Sequence, residues 1–216
     1  MQHLYQKFQS KLLLGTLMLV IVSAAQAAPA LMDGSRLYAP CVPCHQPNAW
    51  GSPDGEIPNL AGQRKRYLEK QLSVFRSGAR IDAAMQIVTA HSSFNNKNNS
   101  IALADYLSGL DANPKPVNGS GAHLSVGQEL FAHICAACHG VDGRGELNNP
   151  APRIAGQHYP YLRRQIEEGA SLHKDLAPPE MTSALRGMSP QEKDAIADFI
   201  SRLGNLETRP NSDRPL

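Results

Sequence analysis

Cys41-Val42-Pro43-Cys44-His45 and Cys135-Ala136-Ala137-Cys138-His139 are two copies of one five-residue pattern, and together they use all 4 cysteines of the chain. Cys-x-x-Cys-His is the attachment pattern of c-type haem. Two thiols about one helical turn apart each add to a haem vinyl group, and the adjacent histidine then binds the iron from the proximal side. The pattern nominates Cys41, Cys44, Cys135 and Cys138 as covalent attachment points, with His45 and His139 as axial ligands.

Other uses of paired cysteines fit less well. A zinc ribbon separates its two Cys-x-x-Cys pairs by about 15 to 20 residues; here the pairs begin at positions 41 and 135. A redox dithiol accounts for neither the duplication nor the repeated histidine. Simple disulfides in an oxidising compartment leave both histidines unexplained.

The start of the chain reads as an export segment. Lys7 and Lys11 precede an apolar run at 12–22, and Ala25-Gln26-Ala27 supplies a small-x-small cleavage pattern. The run is shorter than the roughly 20 residues a membrane span needs, although Leu31 and several alanines extend it weakly, so an uncleaved anchor is the alternative. Export fits a periplasmic location, where haem is attached covalently. The remaining chain, about 190 of the 216 residues, suffices for two small domains. Each half alone has a thin protein core, and a haem would complete it.

Net charge is only +2. Its distribution says more: residues 28–112 hold 8 Lys/Arg against 7 Asp/Glu, and residues 123–205 hold 8 against 10. The negative excess favours ferric iron in the second half and predicts the lower reduction potential there. Neither half has the basic run with interleaved aromatics expected of a nucleic-acid binder, so no nucleic-acid partner is expected.

Beyond the haem motifs the halves superimpose as a repeat. Pro58-Asn59-Leu60-Ala61-Gly62-Gln63 matches Pro152-Arg153-Ile154-Ala155-Gly156-Gln157 in the register of the cysteines, and Tyr67-Leu68 with Gln71 matches Tyr161-Leu162 with Gln165. Ala104-Asp105-Tyr106-Leu107 likewise matches Ala197-Asp198-Phe199-Ile200. Helical signals recur at matching places. Ser189-Pro190-Gln191-Glu192 is a capping box with proline at the first helical position, followed by Ile196, Phe199, Ile200 and Leu203 on one face and Gly204 as the stop. Its counterpart is expected at 100–110, with middle helices at 64–76 and 161–168 and short helices near 35–39 and 126–134. The expectation is an all-α tandem duplication: export segment 1–27, first haem domain 28–112, a Pro/Gly/Asn/Ser-rich linker 113–122, second haem domain 123–205 and tail 206–216.

On these residues the chain resembles the dihaem class I cytochromes c of the cytochrome c4 type. The likeness runs from Gly34 to Leu203 and rests on the paired motifs, the duplicated Pro-x-Leu/Ile-Ala-Gly-Gln-x-x-x-Tyr-Leu segment and a methionine before the last helix of each half. One departure stands out. The second half continues His139-Gly140-Val141-Asp142-Gly143, whereas the first reads His45-Gln46-Pro47-Asn48-Ala49-Trp50, which predicts an altered loop and altered solvent access beside the first haem.

The resemblance implies two covalent haems c and a single-electron carrier rather than an enzyme. Its partners would be redox proteins, a membrane-associated donor and an oxidase or reductase acceptor, with peripheral membrane association compatible. Two other roles stay open: a haem-bearing subunit of a periplasmic dehydrogenase or terminal oxidase, and a catalytic dihaem enzyme, peroxidase-like or thiosulfate-oxidising, which needs an open sixth position at one iron. For the distal side, Met85 is the methionine that follows His45 in its half, with His91 as the alternative, and it does so at nearly the interval by which Met181 follows His139. Met181 follows an irregular Pro-rich stretch of the kind that carries the distal ligand in the family. Met188 falls where the family has a core residue. Pro58 and Pro152 would, by the resemblance, offer carbonyls to the proximal histidines. Tyr67 and Tyr161 would approach haem propionates, pack between domains, or simply pack on their helix faces. His123, His133, His158 and His173 read as surface or hydrogen-bonded histidines. Trp50 has no repeat partner.

Overall fold

A computed structural model describes residues 33–145, 150–170 and 177–204, and all of them fall within one compact unit. The expected export segment 1–27, His173 and the expected tail 206–216 lie outside the described residues. Among the described residues each half has five α-helices: α1 (Gly34–Tyr38), α2 (Val42–His45), α3 (Lys65–Arg76), α4 (Ala83–Thr89) and α5 (Lys97–Ser108), then α6 (Leu124–Leu130), α7 (Ala136–His139), α8 (Tyr159–Ala170), α9 (Pro179–Arg186) and α10 (Pro190–Leu203). The described residues contain no strand. This is the expected tandem of two all-α domains.

The frame of each half is its first helix crossed against its last, α1 on α5 and α6 on α10. A glycine makes each crossing possible. A methyl group on Gly34 would come 2.4 Å from the Ala102 carbonyl oxygen, and one on Gly127 would come 2.1 Å from that of Ala195. Beside these crossings, equivalent aromatic pairs pack with ring centroids 5.9 Å apart (Tyr38 and Tyr106) and 5.5 Å apart (Phe131 and Phe199). The middle helices close the cores. Leu68 of α3 joins Leu37, Leu103 and Leu107, while Leu162 and Ile166 of α8 join Phe131, Ile196 and Ile200.

Local chemistry sets the helix ends. The Ser189 capping box forms at the start of α10, with its hydroxyl taking the Glu192 N–H and the Glu192 carboxylate taking the Ser189 N–H. α5 begins at Lys97, earlier than expected, because the Asn96 side chain accepts from the Asn98 N–H, and it stops at Ser108 before Gly109. α8 begins at Tyr159, ahead of the expected 161, since Pro160 is tolerated in a first turn. Met181, expected in an irregular loop, is the third residue of α9: Pro178 caps that helix and Pro179 opens it.

The linker is held against the second half. The buried Asp198 carboxylate accepts from the Gly119 N–H (3.0 Å) and the Gly121 N–H (2.6 Å), and it pairs with Arg202, which also donates to the Gly119 carbonyl. Tyr159 N–H donates to the Val117 carbonyl at 2.8 Å.

Candidate haem sites

In each half a wound segment delivers the motif. α1 passes through a 3-10 turn, Ala39–Cys41, into α2; α6 passes through a π-type turn, Phe131–Cys135, into α7. The first cysteine of each pair is half-buried and the second exposed, and no disulfide joins them. Burial pushes the thiols of Cys41 and Cys135 up to about 11, which keeps them protonated before haem attachment.

His45 and His139 end their helices and are buried. His45 Nδ1 lies 3.0 Å from the Pro58 carbonyl oxygen and His139 Nδ1 3.0 Å from that of Pro152. A carbonyl can only accept, so each Nδ1 carries the hydrogen and Nε2 is left with the lone pair a metal requires. Burial lowers the pKa of both rings while the carbonyl bond opposes it, and the net direction favours the neutral imidazole that ligates iron.

The loop after each motif corrects the expectation of an altered first loop. Gly51 N–H donates to the His45 carbonyl as Gly145 does to that of His139. Leu60 and Ala61 both donate to the Ala49 carbonyl, as Ile154 and Ala155 do to that of Gly143. Over 45–51 and 139–145 the backbone path is the same. Gln46 and Ala49 adopt φ of 66° and 58°, where the second half has glycines at 76° and 69°. Tyr38 steadies this turn by donating its hydroxyl to the Gln46 carbonyl at 2.6 Å.

Met85 and Met181 occupy equivalent positions in the two halves, each the third residue of its short helix. The Asp82 side chain caps α4 by accepting the Met85 N–H at 3.0 Å, and its charge acts on the His45 ring. Met188 is buried in the second core against Leu185 and Ile196. His91 is exposed, with Nδ1 turned to its own 3-10 turn, where the Ser93 N–H donates to it at 3.3 Å.

Several residues acquire roles that sequence reading left unassigned. Gln63 and Gln157 are buried and cross between the halves: Gln63 bonds both the N–H and the carbonyl of Arg153, and Gln157 bonds both groups of Asn59. Their signal was the repeat itself, an identical polar residue after an identical glycine turn. Trp50 donates its indole N–H to the Asp111 carbonyl at 2.9 Å, and its own carbonyl accepts from His158 Nε2 at 2.6 Å. It ties the first loop to the linker and the second half. Arg80 of the first half donates to Gln71 and, across to the second, to Tyr161 (3.2 Å) and Gln165 (2.7 Å). That puts Tyr161 between the halves.

Buried histidines with a free Nε2, each beside two cysteines one turn apart, fit haem c. The cytochrome c family profile matches residues 31–111 and again 124–204. A thiosulfate dehydrogenase electron acceptor from Stutzerimonas stutzeri is 31% identical over 218 residues, spanning 91% of this chain and 96% of that protein. Cytochrome c4 of Azotobacter vinelandii is 28% identical, over 87% of this chain and 95% of the relative. The crystal structure of reduced recombinant cytochrome c4 from Pseudomonas stutzeri aligns with a TM-score of 0.67 at 22% identity, covering 78% of this chain and 95% of that one. Fold and sites together define a tandem pair of helical haem domains. The chain belongs to the cytochrome c family, as a dihaem cytochrome c4-like protein with two covalently bound haems c.

Proposed function

We propose that this chain carries single electrons in the bacterial periplasm, between a membrane-associated or dehydrogenase donor and an oxidase or reductase acceptor. In this reading Cys41 and Cys44 hold one haem, Cys135 and Cys138 the other, and the axial pairs are His45 with Met85 and His139 with Met181. Bound haem supplies the one-electron Fe(III)/Fe(II) couple. The chain's own residues orient the proximal rings through Pro58 and Pro152 and exclude water from the buried imidazoles.

The observation that carries the reading is the matched placement of Met85 and Met181 at the third position of equivalent short helices. A thioether closing both irons makes a carrier, whereas an enzyme needs an open site. The likeness to a relative named as the electron acceptor of thiosulfate dehydrogenase supports a dehydrogenase as donor. The test is ligation. The ferric protein should show the near-infrared methionine band at two haem equivalents and no binding of cyanide or carbon monoxide. Met85→Ala and Met181→Ala should each remove one equivalent and open one haem to ligand. Cyanide binding by the unmodified protein would favour a catalytic dihaem enzyme instead.

A further inference from the structure

The hydrogen-bond chain that starts at each proximal histidine does not end at the proline. The carbonyl of Pro58 and the N–H of Asn59 belong to one peptide group; His45 Nδ1 donates to its oxygen at 3.0 Å, and its N–H donates to Gln157 Oε1 at 2.9 Å. Gln157 is in the other half. The mirror chain runs from His139 Nδ1 to the Pro152 carbonyl at 3.0 Å, through the same peptide group to the Arg153 N–H, and on to Gln63 Oε1 at 2.9 Å. Each glutamine also returns its Nε2 hydrogen to the carbonyl one residue further on, Asn59 or Arg153, at 2.8 Å. Both glutamines are 7% exposed, so water does not compete for these bonds.

An amide whose N–H donates to a good acceptor is polarised, and its carbonyl becomes a stronger acceptor in turn. A stronger bond at Nδ1–H makes the imidazole a more basic ligand. A more basic ligand favours ferric iron. We propose that Gln157 and Gln63 are positioning residues that tune the haems crosswise: Gln157 of the second half lowers the reduction potential of the first haem through the Pro58–Asn59 peptide, and Gln63 of the first half lowers that of the second haem through the Pro152–Arg153 peptide. Separation of the halves would then release both potentials upward together, which links the docked state of the two domains to their redox poise. The inference rests on His45 and His139 being the iron ligands.

The test uses Gln157→Met and Gln63→Met in the full-length holoprotein, similar in size but lacking the amide. Absorption spectra first establish that both haems remain low-spin, which checks the ligand assignment separately. Potentials are then followed through the haem-methyl NMR signals, assigned by nuclear Overhauser contacts to one motif or the other. Gln157→Met should raise the first haem by a two- to threefold change in its Fe(III)/Fe(II) equilibrium, about 18 to 28 mV at 59 mV per tenfold, and leave the second in place. Gln63→Met should do the reverse. A shift confined to the haem of the mutated half, equal shifts in both, or no shift would overturn the proposal. The unmodified protein gives a measurement that needs no variant: amide hydrogen exchange at Asn59 should slow when the first haem is ferric, and at Arg153 when the second is. Exchange rates at both amides that are indifferent to oxidation state would also overturn it.

Discussion

Gln46 holds φ 66° and ψ 160°, a backbone region essentially reserved for glycine, and its counterpart Gly140 sits at φ 76° and ψ 156°. A side chain there costs on the order of 1 to 3 kcal/mol, so the first half carries strain that the second avoids. Gln46→Gly should therefore stabilise the holoprotein by about 1 kcal/mol, read as a higher denaturant midpoint with an unchanged slope; a lower midpoint would mean that the glutamine side chain contributes more than its backbone loses. Asp82 matters in a different way. It caps the helix of Met85 and acts on the His45 ring, whereas Pro178 at the matching place has no charge. Asp82→Asn keeps the cap and removes the charge. Asp82 is exposed and screened, so the first haem should rise by only about 10 to 20 mV with the second unmoved, as a domain-resolved redox titration would report.

At the scale of the helix, the two crossings leave no room for a side chain. The atom facing Gly127 is a backbone oxygen inside α10, which cannot step aside as a flexible side chain would. Gly127→Ala should cost about 2 kcal/mol or more, and Gly34→Ala should behave alike. Gly187, at the end of α9, would meet nothing closer than 3.6 Å, and its alanine variant should stay within roughly 0.5 kcal/mol in the same unfolding series. These elements differ in how legible they were. The motif helices, the capping box and the repeat were readable because each is a local pattern in which neighbouring residues state their own geometry. The beginnings of α5 and α8 were misplaced by two or three residues, since Asn96 and Pro160 act through caps and first turns that hydrophobic periodicity does not register. The unchanged turn at 45–51 was hidden for another reason. A repeat can keep its backbone while losing its glycines if hydrogen bonds such as that from Gly51 to His45 enforce the path. The crossed contacts of Gln63 and Gln157 join residues far apart in sequence, and no local pattern predicts which peptide of the other half a glutamine will reach.

For the whole molecule, the joint between the halves is a buried polar seam, and His158 is its most pH-sensitive member. The ring is 2% exposed and held at both ends: Nδ1 accepts from the Val117 N–H of the linker at 3.0 Å, and Nε2 donates to the Trp50 carbonyl of the first half at 2.6 Å. This arrangement admits only the neutral ring with its hydrogen on Nε2, because a proton on Nδ1 would face the N–H of Val117. Burial pushes the His158 pKa below its ordinary value, outweighing the bond to Trp50 and the nearby Asp54 charge that act the other way. In the unfolded chain the same ring titrates near 6.5. The unfolded state thus binds more protons than the folded one in the window between the depressed value and about 6.5. The stabilising contribution is complete above that window and falls as pH drops through it, by up to about 1.4 kcal/mol for each pH unit. In the proposed ligation His45 and His139 are held by iron, and His91, His123 and His133 are exposed, so among the described histidines His158 is the buried ring left to titrate. Denaturant unfolding of the holoprotein at pH 7.5 and 5.5 should show a loss on acidification that is smaller in His158→Gln by about 1 kcal/mol. Identical losses in the two proteins would mean that His158 binds its proton as readily in the folded protein as in the unfolded chain, which would refute the burial argument.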